Sequence, residues 1–445
     1  MAGIRASRRD LLRYGAGSVS SLAVAGLTGK PSFSVNEALA QDDRVEIEYW
    51  HINTEVFGGP AVKEITAAFQ AQNPNIAVAE RFQQNAYTGL LENLQTSLAA
   101  GNPPDIAQIG YLYLDYVKTN FPYTPANELD EALGGGTFLS NFPETVLELG
   151  QAGGVQLGLP YAISNPITYY NADMLAQAGI DPADPPTTWD EWLAASQTIK
   201  KQQGKATVYV QLLDDNWTTQ GLIESNGGQM LSCGGDAATA TFDSPEGIEA
   251  IDLWARMCKD GYSLNVLNDQ GMQAFLAGEV ASYITTCARR QVLQEQASFD
   301  LRATTFPAFG TKEVRLPAGG NVLVVFSEDD AKKAAAWKFI QFMQSPEALT
   351  TWVKGTGYIS PRPSVAEDPN LLGAFVRENP IQAVAIAQTA NVRPWISFPG
   401  ANGLQAAKSL FAATQEALGG QSTTEVALKD AAKEINDLIE GQSCA

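Results

Sequence analysis

Histidine is almost absent from this chain, and its scarcity excludes several catalytic and metal-binding chemistries. His51 is the only histidine among 445 residues. A Ser-His-Asp or Cys-His arrangement therefore has at most one candidate, and a zinc site built from several histidines has none. The four cysteines include no Cys-x-x-Cys pair, so we predict no metal and no cofactor. Hydrolysis by two carboxylates remains open.

Basic residues are also scarce. The chain has 29 Lys and Arg and 49 Asp and Glu, which gives a net charge of −20. Nucleic acids and anionic membrane surfaces repel a chain this acidic, and no basic patch interrupts it. We therefore predict no nucleic-acid partner. Beyond the N-terminal segment no apolar run approaches the roughly 20 residues of a membrane helix. Four cysteines allow three complete disulfide pairings, and the sequence does not choose among them.

The first forty residues show the pattern of a twin-arginine export signal. The Arg8-Arg9 pair precedes a short, weakly apolar segment at 14–27, and Ala38-Leu39-Ala40 supplies a small-x-small cleavage pattern. We predict that residues 1–40 direct export and are removed, which leaves a mature chain of net charge about −23. The predicted location is the periplasm or the extracytoplasmic cell surface.

Short strand and helix patterns alternate after the signal, as is typical of a parallel α/β layer. The first of these patterns predict strands at 45–50, 76–82 and 106–109 and helices at 62–71 and 87–100. Proline-containing turns follow each of these helices, where the helix has to stop. We therefore predict an α/β fold for the mature chain.

The alternation breaks at two consecutive extended segments, 157–161 and 166–170, which we interpret as a crossover between two lobes. The region 172–296 is predicted to be mostly helical, and a strand at 322–326 returns the chain to the first lobe. The predicted boundaries are 41–163 and 308–345 for the first lobe, and 164–307 and 346–445 for the second.

Aromatic residues recur near predicted strand ends, helix starts and loops, where open α/β sheets bind ligands. An aromatic ring can pack on the C–H face of a sugar or polyol, although a single aromatic residue is more often part of the core. His51 could donate to a ligand oxygen or cap a loop. Candidate anion contacts are Arg289, Arg290 and Arg393. The aromatic candidates are Trp50, Tyr111, Trp217, Tyr358 and Trp395.

Five groups of short motifs occur in a fixed order along nearly the whole mature chain. They are Gly101-Asn-Pro-Pro-Asp105, Leu159-Pro160 with Tyr169-Tyr-Asn171, Ala178-Gly-Ile180 with Pro185-Pro-Thr-Thr-Trp-Asp190, Gly319-Gly320, and Thr356-Gly-Tyr358. In this order and spacing they resemble the sugar-binding family of extracellular solute-binding proteins of ABC importers. Within that family the chain is most similar to the glycerol-3-phosphate-binding branch, in which Trp50-His51 would end the first strand.

The resemblance implies the two-lobe periplasmic-binding-protein fold of the class II type, with a ligand cleft between the lobes and crossing hinge segments. It also implies a monomer that delivers its ligand to the membrane subunits of an ABC importer. The cleft residues of the branch correspond here to Tyr87, Ser164, Trp217, Gly319 and Tyr358.

Two positions depart from that branch. Tyr111 replaces its glutamate after the third strand, and the final cleft segment, 397–402, lacks its phosphate-binding arginine. We therefore expect a neutral glycoside, or a glycerol phosphodiester held through its glycerol end, rather than free glycerol 3-phosphate.

The function predicted from the sequence is a non-enzymatic binding protein that captures a sugar, polyol or glycerol conjugate for import. Two other classes stay open. A secreted carbohydrate-active enzyme would use paired carboxylates, and a surface interaction protein would have no small-molecule cleft.

Overall fold

A computed structural model describes residues 44–213, 215–233 and 237–444. The predicted export signal lies outside these residues. Two sheets carry the fold, and their strands in chain order are β1 Val45–His51, β2 Ile76–Phe82, β3 Ile106–Gly110, β4 Leu159–Ser164, β5 Pro166–Asn171, β6 Ala206–Val210, β7 Val280–Thr286, β8 Leu301–Thr304 and β9 Gly319–Val325.

Helices cover both sheets. They are α1 Gly59–Gln72, α2 Ala86–Ala99, α3 Leu114–Asn120, α4 Ala126–Gly134, α5 Glu144–Leu147, α6 Ala172–Gln177, α7 Trp189–Gln203, α8 Trp217–Ser225, α9 Pro245–Lys259, α10 Asn268–Leu276, α11 Arg290–Gln296, α12 Asp330–Met343, α13 Pro346–Thr356, α14 Pro363–Glu367, α15 Gly373–Glu378, α16 Pro380–Ala387, α17 Gly403–Leu418 and α18 Thr424–Leu438.

The first sheet has the strand order β2-β1-β3-β9-β4. Strands β2 and β3 pair in parallel with β1, and β9 pairs antiparallel with both β3 and β4. Every residue of β3 and β9 is buried, because helices cover both faces of the sheet. The predicted alternation of strand and helix over the first part of the chain is confirmed.

The second sheet has the strand order β8-β5-β7-β6. Strand β7 pairs in parallel with β6 and antiparallel with β5, which also pairs antiparallel with β8. Strands β6 and β7 lie in the region that the sequence predicted to be mostly helical. All of β6 and nearly all of β7 is buried, and a short buried strand has no alternating pattern to distinguish it from a buried helix segment.

The predicted crossover at the junction of β4 and β5 is confirmed, because Asn165 alone separates a strand of the first sheet from a strand of the second. Its side-chain Nδ2 donates to the Ala385 carbonyl at 2.8 Å, and its own carbonyl accepts from Cys287 N at 3.0 Å. The chain crosses back between β8 and β9. These short connections are the crossing segments of a two-lobe fold.

Helix α13 changes where the third crossing lies. Its apolar residues Leu349, Trp352 and Val353 share a core with Ile47 of β1, and α13 packs against α1. The chain therefore stays with the first sheet at least until Leu372, which belongs to the same core, so the third crossing lies beyond the predicted boundary at 346. The apolar face of α13 has its partner on α1, and a sequence pattern does not identify the partner of a helix.

One disulfide joins Cys233 to Cys444, at a sequence separation of 211 residues. Cys258 and Cys287 are free thiols. The bond ties the end of the chain to a short hairpin, Leu231–Ser232 with Thr239–Ala240. It resolves the choice among pairings that the sequence left open.

Candidate functional site

A cleft of about 320 Å³ lies where strands of both sheets end, beside the crossover. Residues at or just after the carboxyl ends of the parallel strands line it, as ligand sites in open α/β sheets do. From the first sheet these are Ile52 after β1 and Phe82 at the end of β2. From the second they are Gln211 after β6 and Thr286 at the end of β7.

Two indole rings form one wall of the cleft. Trp217 begins α8, and its Nε1 donates to the Pro317 carbonyl at 3.0 Å. Trp395 lies with its ring centroid 6.3 Å from that of Trp217 and donates from Nε1 to Asn216 Oδ1 at 2.6 Å. Because each indole is held by its own hydrogen bond, the wall presents fixed aromatic surface to the cleft.

Gly319 makes the approach of Trp217 to Ser164 possible. It pairs with Ser164 across β9 and β4. A Cβ at this position would lie 2.5 Å from Ser164 Oγ and 3.1 Å from Trp217 Cζ2. No side chain larger than hydrogen fits there without displacing one of the two. The glycine therefore lets a hydroxyl and an indole face the cleft side by side.

Two tyrosines, Tyr87 and Tyr358, lie on the other side of the cleft. Tyr87, in the first turn of α2, accepts from Asn321 Nδ2 at 2.8 Å, and burial raises its pKa to about 12. Tyr358 stacks on Trp352 at 5.5 Å, and burial raises the pKa of Tyr358 as well. Both are therefore neutral phenols at physiological pH, able to donate as well as accept.

The cleft also contains polar and charged groups. The Arg289 guanidinium lies 5.2 Å from the centre of the Phe57 ring, and none of the ion pairs among the described residues includes it. Gln211 accepts from the Thr285 hydroxyl through Oε1, which assigns its Nε2 as a donor. Asp215 accepts from Trp217 N at 3.0 Å.

The structure thus brings seven of the residues singled out in the sequence to one cleft. They are Tyr87, Ser164, Trp217, Arg289, Gly319, Tyr358 and Trp395.

Trp50 and His51, the predicted site residues of β1, do not line this cleft. Trp50 donates from Nε1 to the Glu48 carboxylate, and His51 Nδ1 accepts from Asn53 N at 3.2 Å. His51 therefore caps the turn after β1, and burial lowers its pKa to about 4. The chain turns toward the cleft one residue later, at Ile52, which the strand pattern did not indicate.

Three other predicted residues are also engaged elsewhere. Tyr111 is buried and donates to the Ala162 carbonyl at 3.1 Å. Arg290 is buried, and its guanidinium donates to Gln382 Oε1 at 3.1 Å and to the Lys354 carbonyl at 2.8 Å. Arg393 pairs with Glu313 at 3.1 Å. Arg290 is thus bound to a side-chain amide oxygen and a backbone carbonyl, and Arg393 to a carboxylate. Of the three predicted anion contacts, only Arg289 lines the cleft.

Sequence reasoning missed several lining residues, among them Phe57, Phe82, Gln211 and Asp215. Two signals were present in the sequence. A large aromatic residue, Phe82, ends a predicted strand, and the polar run before Trp217 follows an apolar segment that is β6 in the structure. Because β6 was not predicted from the sequence, nothing indicated that this polar run follows the end of a strand.

Neither a metal site nor a membrane helix is found in the part of the chain that the structure describes. Within it, no three or more His, Cys, Asp or Glu side chains are arranged to hold a metal ion. No helix there is long and apolar enough to span a bilayer.

Comparisons with known proteins agree with this architecture. The family model of the bacterial extracellular solute-binding proteins matches residues 64–381. The sn-glycerol-3-phosphate-binding periplasmic protein UgpB of Escherichia coli K12 is 25% identical over 365 residues, which cover 78% of this chain and 81% of that protein.

Solved structures show the same fold. UgpB from Mycobacterium tuberculosis in complex with glycerophosphocholine has a TM-score of 0.78 at 20% identity, covering 89% of this chain and 99% of that one. The cyclic alpha-maltosyl-1,6-maltose binding protein from Arthrobacter globiformis has a TM-score of 0.73 at 24% identity, with the same coverage. The predicted two-lobe fold is confirmed, and the chain belongs to the family of bacterial extracellular solute-binding proteins.

Proposed function

We propose that this protein is the substrate-binding component of an ABC importer and captures a sugar, polyol or glycerol conjugate in the cleft of Trp217. Its family and the ligands named for its relatives support this proposal. The observation that carries it is the pairing of a fixed indole at Trp217 with the hydroxyls of Ser164 and Tyr87 in one cleft. Such a site suits a ligand with an apolar C–H face and several hydroxyls.

Closure of the two lobes would complete the site. Gln211 and Trp217 come after strand β6 of the second sheet. Tyr358 belongs to the core of the first sheet, and Tyr87 accepts a hydrogen bond from Asn321 of β9 in that sheet. A ligand that touches both sides favours the closed state by its differential affinity for it. We expect small-angle scattering to show a smaller radius of gyration at saturating ligand, and an unchanged radius would contradict hinged capture. We also expect the protein to act as a monomer, after export by the twin-arginine pathway.

Arg289 favours a ligand that carries a negative charge. Its guanidinium has no carboxylate partner among the described residues, and Gln211 supplies further donors near the ends of the adjacent parallel strands β6 and β7. Guanidinium groups bind phosphate and carboxylate strongly. Within the proposed ligand class, a glycerol phosphodiester therefore fits this cleft better than a neutral glycoside.

The experiment begins with native purification and mass spectrometry of the ligand carried with the protein, followed by calorimetry with that compound. Trp217→Ala should weaken binding by about 2 kcal/mol, the magnitude of a buried aromatic anchor. Arg289→Gln should weaken binding of an anionic ligand at least about tenfold. Arg393→Gln, which removes an arginine outside the cleft, is the matched control.

Apo thermal melts of each variant separate binding from folding. Trp217 is only 3% exposed, so its truncation also costs stability, by about 3 to 5 kcal/mol if it acts as a core residue. Trp217→Phe, which keeps a ring, should restore most of that loss. Unchanged affinity together with a large fall in melting temperature would remove Trp217 from the site.

A secreted glycosidase is the alternative function. Two-carboxylate hydrolysis needs a second carboxyl group about 5 to 9.5 Å from the first, and Asp215 is the one acidic side chain among the described residues that line the cleft. We expect no hydrolysis when aryl glycosides and disaccharides are incubated with the purified protein. Turnover that Asp215→Asn abolishes would favour the enzyme.

A further inference from the structure

The position of Trp395 in the cleft wall depends on side chains that do not themselves line the cleft. Trp395 lies in a segment, 394–399, that forms neither helix nor strand. In the described part of the chain, no backbone–backbone hydrogen bond involves this segment. Its own backbone therefore does not fix the indole, and other groups have to supply the hydrogen bonds that do.

Gln220 of α8 holds the backbone on both sides of Trp395. Its Nε2 donates to the Pro394 carbonyl at 3.0 Å, and its Oε1 accepts from Ile396 N at 2.9 Å. The same Nε2 lies 3.3 Å from a carboxylate oxygen of Glu224. Because both the donor and the acceptor of this buried amide are engaged, the amide has one orientation and holds the segment at two points.

Asn216, the residue before α8, holds the indole itself. Its Oδ1 accepts from Trp395 Nε1 at 2.6 Å, and its Nδ2 donates to the Ile396 carbonyl at 3.3 Å. Asn216 and Gln220 are both 0% exposed, and neither lines the cleft. They are four residues apart, a spacing that places side chains on one face of a helix. The start of α8 therefore bears Trp217 in the cleft wall and also the two amides that hold Trp395.

We propose that Asn216 and Gln220 are positioning residues of the ligand site, and that they act on the ligand only through Trp395. This inference rests on the proposed function, because it takes the two indoles as one ligand-binding wall. An indole that is held at its ring and at its backbone is in place before the ligand arrives. A ligand that binds it does not have to order a mobile side chain, which would cost affinity.

Calorimetry with the compound that co-purifies with wild-type protein tests the role of Gln220. Gln220→Met keeps the length of the side chain and removes its hydrogen bonds. Binding should become about fivefold weaker, the cost of immobilising one side chain. In a Trp395→Ala background the same change should alter affinity by less than about twofold, since a residue that acts through Trp395 has no effect once the indole is gone.

Gln344→Met is the matched control. Gln344 is also 0% exposed, its Nε2 donates to the Pro160 carbonyl at 2.8 Å, and it does not line the cleft. This change removes a buried hydrogen bond of the same kind, so it should lower the melting temperature and leave affinity unchanged. An equal loss of affinity in Gln344→Met would show that Gln220 acts through general stability, and would overturn the positioning role.

Hydrogen exchange of the indole N–H groups, in protein labelled with ¹⁵N-tryptophan, gives a readout that needs no ligand. The signals of Trp395 and Trp217 are identified by their loss in the two Trp→Phe variants. In Gln220→Met the Trp395 N–H should exchange about tenfold faster or more, because its segment opens more often. The Trp217 N–H, which donates to Pro317, should keep its rate. Asn216→Asp, which retains an acceptor for the Trp395 indole, should protect its N–H better than Asn216→Ala does.

Equal acceleration of both indoles, or of neither, would overturn the positioning role, as would a loss of affinity in Gln220→Met that persists in the Trp395→Ala background. Wild-type affinity in Trp395→Ala would also overturn it. The proposed function would survive each of these results if Trp217→Ala still weakened binding of the co-purified compound.

Discussion

Gly319 offers the sharpest perturbation of the cleft. Its backbone does not have a positive φ, so Gly319→Ala adds a methyl group without conformational strain. That methyl would lie 2.5 Å from Ser164 Oγ and within 3.2 Å of two atoms of the Trp217 ring. Carbon atoms normally pack at about 3.5 to 4.0 Å. The ring therefore has to move by several tenths of an ångström, against its hydrogen bond to Pro317.

The expected cost has two parts. Overpacking of this kind destabilises a protein by about 1 to 3 kcal/mol, which for a chain of this length lowers the melting temperature by about 1 °C per kcal/mol. Displacing the indole and narrowing the site should weaken ligand binding by a further 1.4 kcal/mol or more, roughly tenfold. Calorimetry with the co-purified ligand and apo thermal melts measure the two parts separately.

Gly221→Ala is the matched control. Gly221 lies one turn after Trp217 on α8, and a Cβ there would meet nothing closer than Pro317 Cδ at 3.4 Å. The change should leave affinity intact and stabilise the helix by up to about 1 kcal/mol. If Gly319→Ala bound the ligand like wild type, or Gly221→Ala lost affinity equally, the assignment of the Trp217 wall to the ligand site would be refuted.

Three further predictions concern export, pH and the disulfide. Replacing both Arg8 and Arg9 by lysine should leave uncleaved precursor in the cytoplasm, and normal periplasmic levels on immunoblots of cell fractions would contradict the twin-arginine assignment. The pKa of His51 is lowered from 6.5 to about 4 in the folded protein, so the unfolded chain takes up the proton first. This histidine therefore contributes roughly 3 kcal/mol of stability above pH 6.5 that is lost as pH falls toward 4. His51→Asn, which can still accept from Asn53 N, should lose less stability than wild type in melts at pH 7 and pH 4.5, and parallel losses would refute this. Cys444→Ser should lower stability by about 4 kcal/mol, because the bond closes a long loop. Reductant should lower the melting temperature of wild type and of a Cys258→Ser control but not of Cys444→Ser, and a wild type insensitive to reductant would contradict this.

Much of the first sheet was predictable because its strands alternate with amphipathic helices that have proline stops. The junction at Asn165 was likewise predictable, since two extended runs follow each other with no room for a helix. Strands β6 and β7 were not predictable, because nearly all of their residues are buried and carry no periodic signal. With β6 unrecognised, Gln211 could not be placed at a strand end.

Some residues of the candidate site were likewise predictable from the sequence, and others were not. The resemblance to the glycerol-3-phosphate-binding branch indicated Tyr87, Ser164, Trp217, Gly319 and Tyr358, because each position of the branch can be matched to a residue of this sequence. The adjacent Arg289 and Arg290 look alike in sequence. Only the tertiary structure directs one guanidinium into the cleft and the other to carbonyls in the last turn of α13.

The sequence by itself determined the α/β class, the crossover, the family and the excess of negative charge, because these depend on local periodicity, composition and motif order. The tertiary structure decided the rest. It paired Cys233 with Cys444, assigned α13 to the first sheet, and turned Trp50 and His51 away from the cleft. It also brought Trp395 to the wall of the cleft beside Trp217. Each of these depends on which distant segments meet, and packing between segments far apart in the chain leaves no local pattern to read.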